Sequence, residues 1–289
     1  MNIGRAAAVL AASTALVAGT ALAASAITGG ERDGNGHSNV ALITFYAGGR
    51  LSTCTATLVS PTVLLTAGHC TAGVSGSVGA TFDPVIAEEP AADGSPPVPV
   101  ASDPAAGYTD ADLEVAGYLT GTADTHPGYS GFTDPRNWND VGVVVLDQPV
   151  DDVTPAPLAP EGYLDQLTPA VLHDTLFTAV GFGTEVRQAE AGPQKPTPQP
   201  FPFVRRVAQV PGQKLTAQIL QVNGNEKDPR GTGGTCLGDS GGPSFLHGFQ
   251  VTVTSYSNTP NCRYIAGFQR VDIPVVQEWL ATLGVAPAG

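Results

Sequence analysis

The chain has 289 residues, 42% of them hydrophobic and only 13% charged, with 35 Gly, 25 Pro and a net charge of −13. That length holds one large domain or two small ones, and the apolar content suffices for a core. The acidic balance excludes a basic face for nucleic acid, and the Gly and Pro content disfavours long helices.

Arg5 supplies a positive start, and an apolar run follows from Ala6 to Leu22. The run ends in Ala21-Leu22-Ala23 and Ala24-Ser25-Ala26, both small-x-small cleavage patterns. Residues 1–26 therefore read as a secretory signal peptide, cut after Ala23 or Ala26. The run is too short and too Ala-rich for an anchor. A secreted, extracellular protein without membrane attachment after cleavage is expected.

Beyond the leader the pattern predicts an all-β fold. Val40 to Phe45, Thr62 to Leu65 and Gly142 to Leu146 are short apolar runs bounded by Gly, Pro, Ser or Asp. Leu176 to Phe182, Val204 to Val210, Leu215 to Val222 and Phe249 to Tyr256 continue the series. Short strands at such spacing indicate a sandwich or barrel. Two stretches read as long surface loops: Ala87–Gly131, rich in Ala, Pro, Gly and Asp, and Gln188–Pro202, with five prolines. A helical period emerges only near the end. Val275, Val276, Trp279, Leu280 and Leu283 share one helix face, with Pro274 at its first turn and Gly284 as its stop. No internal repeat is evident.

Four cysteines fit an oxidising compartment. They fall as two local pairs, Cys54 with Cys70 and Cys236 with Cys262, although four cysteines allow three pairings. Their spacing does not suit zinc, and neither a metal nor a cofactor is expected. Asp110, Asp112 and Glu114 alternate as calcium ligands do, but the spacing is incomplete and a solvated acidic loop is the simpler expectation.

Three segments carry chemistry. Gly238-Asp239-Ser240-Gly241-Gly242-Pro243 surrounds a serine with glycines, which let the backbone approach a substrate and turn its amides inward. A serine hydroxyl becomes a nucleophile when a base takes its proton and donors stabilise the resulting oxyanion. Thr66-Ala67-Gly68-His69-Cys70 offers that base beside an anchoring cysteine. Asp140 precedes the most apolar strand, Gly142 to Leu146, where a carboxylate needs a partner or a place at the rim. The chain order His69, Asp140, Ser240 belongs to the chymotrypsin-type triad. The Gly-Asp-Ser-Gly-Gly segment also matches the esterase elbow. The one His and one Asp beyond it, His247 and Asp272, come in the wrong order for that fold.

On these motifs the chain resembles the trypsin/chymotrypsin family of serine proteases from Ile27 to about Leu283. The resemblance implies two six-stranded antiparallel β-barrels packed together, with a short C-terminal helix. They would lie within a protease domain over 27–289, with subdomains of roughly 27–150 and 151–270. It implies His69 as general base, Asp140 as its orienting partner and Ser240 as nucleophile. It further implies an oxyanion hole from the amides of Gly238 and Ser240, and disulfides Cys54–Cys70 and Cys236–Cys262. Ser255-Tyr256-Ser257 resembles the strand that pairs with substrate backbone. Ile27-Thr28-Gly29-Gly30 resembles the family's mature N-terminus, whose freed amine would pair with Asp239. Gly234 stands at the position of the pocket floor, and with Thr235 and Gly267 it adds no charge. Uncharged residues before the cleaved bond are expected, with Ser257 narrowing the pocket. The expected activity is that of a secreted, monomeric serine endopeptidase acting on peptides or proteins. The competing expectations are an inert homologue used as a binding module and an esterase on the same scaffold.

Overall fold

The computed structural model describes residues 27, 29–187, 197–199, 201–225, 228–260, 262 and 264–288. The expected leader 1–26, Thr28 and most of the Gln188–Pro202 loop lie outside them.

Twelve strands form two closed barrels. The first contains β1 (Val40–Ala47), β2 (Arg50–Ser60), β3 (Val63–Thr66), β4 (Val74–Thr81), β5 (Leu119–Thr125) and β6 (Gly142–Leu146). Its order around the ring is β1-β2-β3-β6-β5-β4, closed by pairing of β4 with β1. The second contains β7 (Leu176–Gly181), β8 (Arg206–Leu215), β9 (Ile219–Asn223), β10 (Pro243–Leu246), β11 (Phe249–Ser257) and β12 (Ile265–Arg270). Its order is β7-β8-β9-β12-β11-β10, closed by β7 against β10 and β8. The two rings repeat one connectivity, although no sequence repeat announces it. All strand pairs within them are antiparallel.

Side-chain alternation explains the packing. On β1, Ala41, Ile43 and Phe45 point into the first barrel, while Val40 and Leu42 join Val180, Phe182 and Phe245 of the other half. A strand covered on both faces reads as one continuous apolar run, which is why β1 was conspicuous. The second barrel is filled by residues such as Phe177, Val210, Leu220, Val251 and Phe268. Arg205 is buried between the halves, its guanidinium bonded to Asp33 at 3.0 Å and to the carbonyls of Gly34, Val40 and Phe82. A buried cation persists only when paired and fully hydrogen-bonded, as here.

Several expectations need correction. Ala87–Gly131 is not one loop: it contains β5, a short helix α1 (Asp110–Glu114), and buried Val98, Tyr108 and Leu113. β5 reads LTGTADT, too polar to stand out. Leu215 to Val222 is not one strand either, because a turn at 216–219 (Thr216 N–H to the Ile219 carbonyl, 2.9 Å) separates β8 from β9. The C-terminal helix, Pro274–Thr282, buries Val276 and Leu280 as expected, but Val275 is exposed. Asp112 caps α1 in a box with Thr109, and Asp110 accepts from Ser77 Oγ at 2.6 Å. These carboxylates already have protein donors.

Candidate active site

The pairing of β3 with β6 sets Thr66 opposite Gly142. Because the strands are antiparallel, the residues just after Thr66 and just before Gly142 emerge at the same end. His69 follows on the single helical turn Gly68–Thr71, which Cys70 ties to Cys54 on β2 through a disulfide. Asp140 arrives from the other strand. Gly142 is needed here: a Cβ would sit 2.3 Å from Thr71 Oγ1.

Asp140 is fully buried. Its carboxylate accepts from three donors: His69 N–H at 2.8 Å, His69 Nδ1 at 2.9 Å and Ser255 Oγ at 2.6 Å. Its own amide donates to Gln269 Oε1 at 3.1 Å. A carboxylate on Nδ1 makes that nitrogen the donor and leaves Nε2 as the acceptor.

The Cys236–Pro243 turn belongs to the second barrel but is held by the first. Thr55 N–H donates to the Ser240 carbonyl at 2.8 Å, and Thr55 Oγ1 donates to the Gly238 carbonyl at 2.8 Å. Gly241, at φ +77°, presses on Thr66 and Ala67, just before the His69 turn. The turn thus carries Ser240 to the base of the His69 segment. Among the described residues, no hydrogen bond joins the Ser240 hydroxyl to His69. The amides of Asp239, Gly241 and Gly242 are used within the fold, whereas those of Gly238 and Ser240 donate to no backbone acceptor among the described residues. Gly238 has φ +98°, a conformation that turns its peptide as other residues rarely can.

Asp239 is also fully buried. Its oxygens accept from Gly183 N–H and Cys236 N–H, both at 2.7 Å. Burial pushes this carboxyl up to about 7, partly offset by those two amides and by the Arg206 charge. Ile27 is buried beside Gly30, its nitrogen still in the peptide bond to Ala26, and no hydrogen bond links it to Asp239 among the described residues.

A recess of about 400 Å³ beside Ser240 is lined by Cys236, Thr254, Ser255, Tyr256, Ser257 and Cys262, among others. The Cys236–Cys262 disulfide braces it. No charged side chain is among its described lining residues. Gly234 packs on Gly224 and Thr235 is buried, neither reaching this lining. Gly267 lies beneath the ring of the lining residue Tyr256, with which it is paired in register. Aromatic rings extend the wall from His69 through Phe132 (5.7 Å) and Trp138 (5.3 Å) to Tyr256 (4.8 Å). The motifs did not point to Thr55, Gln269 or Phe132. A polar Gln inside the apolar run of β12 was the one available signal for Gln269.

Two antiparallel six-stranded barrels with this cleft between them define the chymotrypsin-like fold. A sequence profile described as Trypsin matches residues 27–280, and the chain belongs to that family. Solved structures share the fold at low identity. A structure described as HL collagenase aligns with a TM-score of 0.60 at 17% identity, covering 89% of this chain and 98% of that one. Mouse neuropsin, described as a serine protease expressed in the limbic system, gives 0.54 at 20%, covering 88% and 98%. Human heparin binding protein gives 0.54 at 19%, covering 91% and 100%. Among curated protein sequences, none matches this chain.

Proposed function

We propose that this protein is a secreted serine endopeptidase with Ser240, His69 and Asp140 as its catalytic residues. The observation that carries the reading is the buried Asp140 carboxylate bonded to His69 Nδ1 at 2.9 Å, with Ser240 on a turn anchored to the same barrel. His69 Nε2 takes the proton of Ser240 Oγ as the oxygen attacks the substrate carbonyl carbon. The amides of Gly238 and Ser240 receive the oxyanion. Collapse breaks the C–N bond, and the amine leaves with the proton held by His69. Water then repeats the steps on the acyl-enzyme. Triad contacts open in an apo site commonly tighten once substrate binds, and the Ser240–His69 link is assigned to that stage.

Activation follows from the buried acid. Cleavage before Ile27 frees an ammonium group that the Asp239 carboxyl, already desolvated, is suited to pair with. The uncharged lining beside Ser240 favours uncharged substrate residues before the cleaved bond, and Ser255–Ser257 offers backbone to pair with them. The leader pattern at 1–26 and two disulfides support export. No helix among the described residues is long and apolar enough to cross a membrane.

The second reading, an inert binding module, draws on the structural neighbour named for heparin binding. A polyanion is a poor ligand for a chain of net charge −13. Fluorophosphonate treatment of the secreted protein separates the two readings. One equivalent should label Ser240 in the parent and none in Ser240→Ala. A parent chain cut at Ile27 that neither labels nor hydrolyses peptides would refute the peptidase reading.

A further inference from the structure

The backbone turns sharply at Asp140. Asn139 stands at φ +43°, and Val141 N–H donates to the Asn139 carbonyl at 2.7 Å, a three-residue turn centred on the acid. Asn139 and Asp140 are both buried, so each amide needs a partner inside the protein. Both partners are glutamine oxygens of the second barrel. Asn139 N–H donates to Gln218 Oε1 at 3.2 Å, and Asp140 N–H donates to Gln269 Oε1 at 3.1 Å. The two side chains are themselves joined. Gln269 Nε2 donates to the side-chain oxygen and to the backbone carbonyl of Gln218, each at 3.1 Å.

Strand geometry explains why these residues reach across. On β12, Ala266 and Phe268 point into the core of the second barrel, so Gln269 points the other way, towards the first. Its cross-strand partner Val253 packs there in an apolar cluster with Val141 and Val143. Gln218 enters on the tight turn between β8 and β9, directly before Ile219, which pairs with Gln269. An apolar side chain would pack at the Gln269 position without the desolvation cost of a buried amide. The orientation of that amide is dictated by its neighbours. Asp140 N–H is a donor, so Gln269 turns its oxygen to Asp140 and its nitrogen to Gln218. We infer that Gln218 and Gln269 are positioning residues for catalysis. They fix the Asp140 backbone across the barrel interface, and thereby set where its carboxylate meets His69 Nδ1. The geometry of the reaction centre is thus tied to the docking of one barrel on the other. This inference rests on the peptidase reading above.

The test uses the mature enzyme and one peptide substrate. Gln269→Leu leaves the Asp140 amide without its acceptor. It should lower kcat by about tenfold to a hundredfold, the scale on which misplaced catalytic groups act, with KM unchanged. Fluorophosphonate labelling of Ser240, with fluoride as leaving group, should slow in step, and the proton resonance of His69 Nδ1–H should move. Gln269→Glu, protonated in this buried setting, keeps an oxygen for Asp140 and a donor for Gln218, and should restore most of the loss. Gln218→Ala should lose less than Gln269→Leu. Gln218 borders a cavity of about 440 Å³ beside Ile273 and Pro274, from which water can replace its oxygen. Combining Gln218→Ala with Gln269→Leu should lower kcat little further, because the two act as a unit. Parental kcat in folded Gln269→Leu and Gln218→Ala, whatever their melting temperatures, overturns the inference. Should Gln269→Leu not fold, Gln218→Ala decides: a lowered kcat at unchanged KM supports the inference, and parental kcat overturns it. Parental labelling and hydrolysis with unresponsive variants leave the peptidase reading standing, whereas a parent enzyme that neither labels nor cleaves sinks both.

Discussion

Replacing Asp239 by Asn in the uncleaved chain, on a Ser240→Ala background that prevents self-digestion, isolates the cost of burying this carboxyl. In the fold the group holds its proton up to about 7, against an ordinary 3.8 in the open chain. Between those two values the folded state carries one proton more than the unfolded state. Stability is therefore fully present below about pH 4 and falls as pH rises towards 7. The span corresponds to about 4 kcal/mol at most, a large share of the 5–15 kcal/mol typical of a domain. Urea unfolding of both proteins at pH 4, 5.5, 7 and 8 reads it directly. The parent should lose stability across the interval and then level off, while Asp239→Asn should lack that component. Their difference cancels every other titrating group. The variant should start about 1–3 kcal/mol lower at acid pH, because Asn cannot accept from both Gly183 and Cys236. Once Ile27 is freed and its ammonium pairs with Asp239, the sign reverses. The carboxylate is then favoured, and stability and activity should fall only as the raised α-amino group deprotonates above about 8. Parallel pH curves for parent and Asp239→Asn would refute the account of a desolvated, proton-holding acid.

Gly241→Ala should cost about 3 kcal/mol or more, since its Cβ would lie 1.9 Å from Thr66 Oγ1 at φ +77°. Gly248→Ala, with similar φ but open space, should cost only about 1–2 kcal/mol, and equal losses in thermal unfolding would contradict this contrast. Ser255→Ala removes the 2.6 Å donor to buried Asp140 and should lower stability by about 1–3 kcal/mol. Peptide hydrolysis should fall with it and recover in Ser255→Thr. Unchanged denaturant midpoints would rule that bond out as a support of the carboxylate.

Much of the fold and of the candidate site was legible in the chain itself. β1, buried on both faces, announces itself as an unbroken apolar run, and β6 does the same although its Val145 is exposed. The segments around His69, Asp140 and Ser240 show themselves by local composition, because glycines and a cysteine must adjoin a residue whose backbone is pressed against a neighbour. Strands such as β2, β4 and β5 were hidden, since Thr, Ser and Gly interrupt them and leave no unbroken apolar run. The strand pairing of residues 219–223 was blurred by a tight turn that carries no Gly, Pro or Asn.

The sequence by itself determined the family, the kinds of groups brought to the site and the acidic character of the surface, since these depend on residue identity and short-range spacing. Only the tertiary structure decided that Thr55 bridges the two barrels, that Gln269 and Ser255 hold Asp140, and that Gly267 lies under Tyr256. It alone paired Phe203–Val204 with Val85–Ala87, over a hundred residues apart in the chain. Such contacts depend on strand register and ring closure, where one residue of slip turns a side chain to the opposite face, and no local pattern encodes that choice.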